Sequence, residues 1–387
     1  MSNAGADATG GGADPSPGEG SRGPHRRRER YRGTHPRNFS ERYKELGAAP
    51  DSEIHAHIRA QGRTPAGTHR PVMVDEVLAA LRPQAGHLVA DCTLGFGGHA
   101  EQLLSRIGPS GRLLGLDIDE MTIGATQTRL AALGFGELVA VRRSNFAGLA
   151  KFIGEPLWSG ERAAADGFDL VFADLGVSSM QIDNPQRGFS YKHDGPLDMR
   201  MDQRIRRTAA DWLAKISEAE LAETLRELGD EPAAEAIAAR IHLRRERAPL
   251  RTTRDLVRCV EEAVGGRGSG GRSREASTDV DAAEGGKRES HPATRTFQAL
   301  RMLVNDELGA LAAFLRGLPL VLRPGGRAAI LTFHSGEAKL VAQALKAGMV
   351  QGVYAAISEQ GIAPSGAEIR DNPRSRSARL WWAESRV

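Results

Sequence analysis

The chain has 387 residues, 40% of them apolar, with 52 Lys plus Arg against 49 Asp plus Glu. All of the net +3 sits in residues 1–68, which hold 11 basic and 8 acidic side chains. The 41 basic and 41 acidic residues that follow cancel, so a pI near 9.0 does not describe a basic, nucleic-acid-binding core. Two cysteines, Cys92 and Cys259, exclude a disulfide framework and an all-cysteine zinc site and fit a reduced, cytoplasmic setting. The longest apolar stretch, Leu311–Leu322, is broken by Arg316 and Pro319, far from the ~20 residues that cross a bilayer.

Residues 1–20 are Gly, Ala, Ser, Pro and Asp, with no apolar segment of the kind a signal peptide needs. Residues 21–45 carry eight arginines with Tyr31 and Tyr43 between them. Disorder is expected through about residue 65. The 1–68 segment reads either as a solvated tail or as an arm that adds affinity for RNA phosphates through counterion release.

From Met73 the pattern alternates. Strand-like apolar runs at 87–93, 112–119, 138–143 and 168–176 are separated by helical patterns at 73–81, 99–107 and 120–133. Near-continuous apolar strands alternating with helices predict a parallel α/β sheet covered on both faces. The alternation then stops. Residues 208–215, 218–228, 232–247 and 253–264 all read as helix, too much for one crossover, so a helical subdomain is expected after the fourth strand. Residues 265–290, rich in Gly, Ser and charge, read as a flexible loop. One helix over 292–318, a turn at Arg323-Pro324-Gly325-Gly326, a fifth strand over 327–333 and a last strand over 379–383 return the chain to the sheet.

Three motifs carry chemistry. Thr93-Leu94-Gly95-Phe96-Gly97-Gly98-His99 follows the first strand and opens a helix; glycines there let the backbone turn tightly and approach a ligand. Position 100 is Ala, so the dinucleotide fingerprint G-x-G-x-x-G is not met. Asp117 ends the second strand 22 residues after Gly95, the spacing at which a carboxylate binds ribose hydroxyls in doubly wound folds. A ribose acid without a pyrophosphate pattern points away from NAD and toward S-adenosylmethionine. Asp174 ends the fourth strand, where such sheets bind ligands. It reads as the acceptor that orients a reacting amine, or as a cofactor-binding residue; the sequence leaves both open. Arg187, Arg200 and Arg295 are candidate phosphate contacts, Phe189 or Tyr191 a stacking aromatic for an extruded base, and His334 and Ser335, ending the fifth strand, candidates for placing that base. No metal ligand set is assigned.

From His69 onward, further runs recur in a familiar order: HRPVMVDEV, TLGFGGH, DLGVSS, RGFSY, DGPLDMRMD, HPATRTFQALRMLVNDEL, LRPGG, TFHS and NPRSRSARL. In these the chain resembles the bacterial 16S rRNA cytosine-N4 methyltransferases, the RsmH or MraW family, over residues 69–387 apart from the 265–290 loop. The resemblance implies a Rossmann-like class I S-adenosylmethionine-dependent methyltransferase fold with an inserted helical domain. The catalytic body would span 69–180 and 291–387, and the inserted substrate-recognition unit 181–290. It implies methyl transfer to N4 of a decoding-centre cytidine, with 16S rRNA in the small ribosomal subunit as partner and no membrane. Oligomeric state stays open, a homodimer included. Carried over residue by residue, Gly97, Gly98 and His99 would line the methionine and adenosine moieties. Asp117 would bind the ribose and Phe146 the adenine, with Asp174 and Gln181 completing the pocket. Three departures stand out. After Phe333-His334-Ser335 the family's Leu-Glu-Asp-Arg is replaced by Gly336-Glu337-Ala338-Lys339, residues 346–370 are shorter and less basic than usual, and the 1–68 extension and the 265–290 loop have no clear counterpart in the compact family members.

Overall fold

The computed structural model describes residues 71–158, 164–265 and 291–387. The Arg-rich extension expected over 1–68, and the expected loop beyond Gly265, lie outside the described residues. The five strands read from the apolar runs form: β1 (Leu88–Asp91), β2 (Arg112–Asp117), β3 (Val139–Arg143), β4 (Phe168–Asp174) and β5 (Leu322–Thr332). They lie in one sheet with β6 (Tyr354–Ile357) and β7 (Arg379–Ser385), in the order β3-β2-β1-β4-β5-β7-β6. Neighbours are parallel from β3 to β5, and β7 pairs antiparallel with both β5 and β6. The sheet reverses its winding between β1 and β4, and the C-terminal ends of those strands flank the crevice where doubly wound sheets hold ligands.

Strand periodicity sorts the core into two layers. Leu88, Ala90, Leu114, Leu116, Val171, Ala173 and Ile330 face α10 (Glu307–Val321) and α11 (Ser335–Val350). Val89, Leu113, Leu170, Phe172, Ala329 and Leu331 face α1 (Val74–Leu81) and α2 (Gly98–Ile107). α3 (Glu120–Ala132) links β2 to β3.

After β4 the chain makes a short helix, α4 (Ser179–Asp183), and then the expected helical run: α5 (Ala209–Lys215), α6 (Glu218–Gly229), α7 (Ala234–Arg247) and α8 (Thr253–Gly265). These helices bury Leu213, Leu221, Leu225, Ile237, Ile241, Leu256 and Val260 in a third core of their own. Capping boxes at Thr208 with Asp211 and Ser217 with Glu220 start α5 and α6.

The single helix expected over 292–318 is two helices, α9 (Ala293–Asn305) and α10. Asp306 stands between them in the left-handed region, at φ 48° and ψ 48°, a conformation Asp tolerates better than most residues. α9 turns Phe297, Leu300 and Val304 into the helical core, while α10 turns Phe314, Leu315 and Leu318 under the sheet. The turn read at 323–326 is instead a bulged start of β5, which opposes Phe168–Leu170 of β4 with shifted register. The short elements β6 and α12 (Gly366–Asp371) carry no signal long enough for period-based reading. Among the described residues no helix is long and apolar enough to cross a membrane.

Candidate active site

The loop after β1 is built by backbone bonds to Asp117. Gly95 N–H donates to Asp117 Oδ2 at 2.7 Å and Asp119 N–H to Asp117 Oδ1 at 2.8 Å, so the carboxylate is fixed before any ligand arrives. α3 clamps the same loop from outside. Thr126 Oγ1 donates to Gly95 O at 2.7 Å, and Arg129 donates to Phe96 O at 3.0 Å and to Gly97 O at 2.7 Å. Gly97 caps α2 at φ 72°, and a Cβ there would stand 2.9 Å from Thr126 Cγ2. The sequence marks these glycines but not Thr126 and Arg129, which reach the loop backbone from a helix about 30 residues further along the chain.

A cavity of about 700 Å³ opens above the sheet, within the range of small-molecule sites. Of the expected cofactor residues, Gly98, His99, Asp117, Phe146, Asp174 and Gln181 line it, as does His334. Two expected residues lie elsewhere. Gly97 packs against α3 instead of the cavity. Ser335 is exposed, its hydroxyl donating to Asp230 Oδ2 at 2.9 Å, so it is not a cavity residue.

The cavity floor is acidic. Asp91, 1% exposed, lies beneath it; burial pushes its carboxyl up to about 7 despite the Thr93 N–H it accepts, and Asp117 adds to the rise. Asp174 goes up to about 8, chiefly from burial and then from the charges of Asp91 and Glu337. Burial also raises Asp117. His99 goes the other way, down to about 4, because burial disfavours its cation. Its Nε2 lies 2.9 Å from Val72 O, and a carbonyl only accepts, so the proton sits on Nε2. Nδ1 is left as a lone pair 3.7 Å from Asp174 Oδ2. At neutral pH this contact is between a neutral imidazole and a protonated carboxyl, not an ion pair.

Acids crowded in this way give up their protons most readily to a cation bound among them, so the floor suits a nucleoside bearing cationic groups better than the pyrophosphate of a dinucleotide. The sulfonium and ammonium groups of S-adenosylmethionine meet that requirement, and Asp117 offers a fixed acceptor for ribose hydroxyls. Phe146, held edge-on by Phe314 with centroids 5.5 Å apart, offers an apolar face.

The opposite wall comes from the helical segment and from the corner after β5. Tyr191 stacks on His291 at 4.3 Å, and Phe189, Thr294, Gln298, Arg301 and Glu337 also line the cavity. Glu337, 3% exposed, accepts Phe333 N–H at 2.8 Å and lies 3.0 Å from His334 Nε2. Among the described residues Glu307, His334 and Glu337 are close enough together to hold an ion. Arg301 already neutralises Glu307 there through two parallel bonds of 2.7 and 2.8 Å. Of the arginines expected to meet phosphate, Arg187 and Arg200 are half-buried and bonded within the protein, while Arg295 is exposed. Arg187 bonds Asp119, Arg200 O and Met201 O; Arg200 forks onto Asp198; Arg295 bonds Asp230 O. Each lies within reach of a local carboxylate or carbonyl, which an arginine count does not reveal.

Residues 66–386 match the model of the MraW methylase family. The chain belongs to the MraW methylase family. Relatives include "Ribosomal RNA small subunit methyltransferase H 1" of Lachnoclostridium phytofermentans, 40% identical over 93% of both chains. The protein of the same name from Agathobacter rectalis is 40% identical over 93% of this chain and 97% of its own. "Ribosomal RNA small subunit methyltransferase H" of Symbiobacterium thermophilum is 42% identical over 81% of this chain and 95% of its own. The first two matches reach further than residues 69–387 alone would allow, so those relatives have counterparts to part of the N-terminal extension.

Proposed function

We propose that this MraW-family methylase methylates the exocyclic N4 of a decoding-centre cytidine in 16S rRNA, in the cytoplasm. The observation that carries the reading is Asp174. It is a carboxylate raised to about 8, at the C-terminal end of a central strand, in a cavity whose other acids favour a cationic nucleoside. S-adenosylmethionine supplies the methyl group when bound. Gly98, His99, Asp117, Phe146 and Gln181 hold it, with Gly97 setting the loop that carries them. The N4 amine is a poor nucleophile because its lone pair is delocalised into the ring, so orientation matters most. Asp174, protonated in the ligand-free protein, would be ionised by a cationic cofactor bound in the same cavity; its carboxylate then accepts a hydrogen bond from the amine and takes the proton it sheds. His334, capping α11 by accepting Glu337 N–H, bounds the base. Residues 69–180 and 291–387 carry the catalytic body and 181–290 the unit that recognises rRNA, with α9 packed into that unit's core.

The name of the relatives supports a small-subunit rRNA substrate. Asp174→Asn tests the mechanism: S-adenosylhomocysteine affinity is retained within a few-fold while methyl transfer falls by roughly 100-fold or more. Transfer at the wild-type rate sinks the role of Asp174. Mass spectrometry of rRNA from a strain lacking the chain tests the substrate, since an unchanged N4-methylcytidine signal rules the reaction out.

A further inference from the structure

We infer that Thr294 and Gln298 on α9 select the target base, donating hydrogen bonds to the acceptor edge of a cytosine, its N3 and O2. This rests on the proposed function, because it concerns the same cavity. Thr294, Gln298 and Arg301 follow one another at helical spacings of four and three, so they form one stripe, and all three line the cavity. The other side of α9 is apolar and sunk in the helical core, with Ala293, Leu300 and Val304. Arg295, also off the stripe, bonds Asp230 O away from the cavity.

A polar stripe at the edge of an apolar helix needs partners, and two of its three members lack them. Thr294 Oγ1 is buried with no hydrogen-bond partner. Gln298 Nε2 has only the thioether of Met302, at 3.9 Å, a weak acceptor. Arg301, by contrast, commits its Nε and one Nη to Glu307, which fixes its end of the stripe. Buried polar atoms left without partners are rare in folded proteins, and a ligand that supplies the partner is an economical reason for one lining a cavity. Hydroxyl and amide donors side by side meet a pyrimidine that presents two adjacent acceptors. Cytosine does so with N3 and O2, leaving its N4 amine as a donor toward Asp174. Uracil carries a hydrogen on N3 and an oxygen at C4, so the Thr294 hydroxyl would have to turn from donor to acceptor and the Asp174 carboxylate would face an acceptor in place of the N4 amine, and that kind of mismatch discriminates.

The test is equilibrium binding of cytidine and uridine to the full chain saturated with S-adenosylhomocysteine, read by saturation-transfer NMR. Thr294→Val, Thr294→Ser and Gln298→Leu are compared with wild type. Wild type favours cytidine by roughly tenfold or more; Thr294→Val and Gln298→Leu lose the preference, and Thr294→Ser restores it. S-adenosylhomocysteine affinity, measured on the same variants, stays at the wild-type value. The assignment is overturned if wild type shows no preference, if both variants keep it, or if cofactor affinity falls in step with it. Absence of rRNA methylation alongside a cytidine preference sinks the function while leaving the stripe standing; methylation with the preference intact in the variants sinks the stripe alone.

Discussion

Asp91 and Asp174 hold their protons far more tightly in the fold than in an unfolded chain, with values of about 7 and about 8 against an ordinary 3.8. The folded state therefore binds more protons than the unfolded one, and stability falls as pH rises through those values. His99, lowered to about 4, works in the opposite direction, but its contribution is complete above its unfolded value of 6.5. The window from about pH 6.5 to about 8.5 thus isolates the carboxyls. In chemical denaturation the ligand-free protein loses stability across that window, and Asp174→Asn flattens the profile. Asp174 is 27% exposed to the cavity, so screening by water keeps the effect below what full burial would give. A profile equally steep in the variant refutes the assignment. Asp174 was legible in the sequence because a charge ending an apolar strand calls for a reason. Thr294, Gln298 and Glu337 were not, since single polar residues in a helical pattern do not reveal which face they occupy. Ser335 was misplaced because one residue decides whether a side chain after β5 points into the cavity or toward Asp230.

Between elements, two loops interlock backbone to backbone at the entrance to the helical segment. A Cβ on Gly188, at φ 69°, would lie 2.2 Å from Pro196 O, and one on Gly195 would lie 1.9 Å from Pro185 O. Gly188 N–H bonds Pro185 O, Met199 N–H bonds Arg187 O, and Asn305 Nδ2 ties Met199 O to α9. Nothing larger than hydrogen fits at either position, and carbonyls are not flexible ends that yield cheaply. Gly195→Ala is expected to destabilise the protein by about 3 kcal/mol, in the range of overpacking, seen as a lower denaturant midpoint. A surface control such as Gly124→Ala, where a Cβ meets nothing within 4 Å, leaves the midpoint unchanged or raises it. A Gly195→Ala protein as stable as wild type shows that the loops part without cost. In the sequence these loops stand out only as the runs RGFSY and DGPLDMRMD, with no sign that they pack on each other. At this scale the long parallel strands and amphipathic helices were readable because their periods persist for several residues. The break at Asp306 was not, because helical pattern continues on both sides and only the buried face changes, from the helical core to the sheet.

For the whole molecule, the charge balance changes the question of how RNA is held. From residue 69 onward positive and negative side chains are equal in number, and many arginines near the cavity are paired internally: Arg129 with Glu101, Arg187 with Asp119, Arg200 with Asp198 and Arg301 with Glu307. Ion-paired guanidinium groups release few counterions on meeting phosphate. A body paired in this way would supply shape and a base pocket more than electrostatic attraction, and an arm reading of the 11 basic side chains of residues 1–68 can then be tested. Deleting residues 1–65 should leave S-adenosylhomocysteine affinity and thermal midpoint unaltered, because every bond described above for the fold and the site lies beyond them. Affinity for small-subunit rRNA should fall, and its dependence on salt should become shallower. Every phosphate that is no longer neutralised takes about 0.7 to 0.9 off the slope of log K against log salt, so an arm that meets several phosphates changes the slope by several units. An unchanged slope would mean that the arm does not meet phosphate, and that the neutral body carries its own basic track despite the internal pairing of its arginines. A lowered thermal midpoint would mean instead that the extension belongs to the fold.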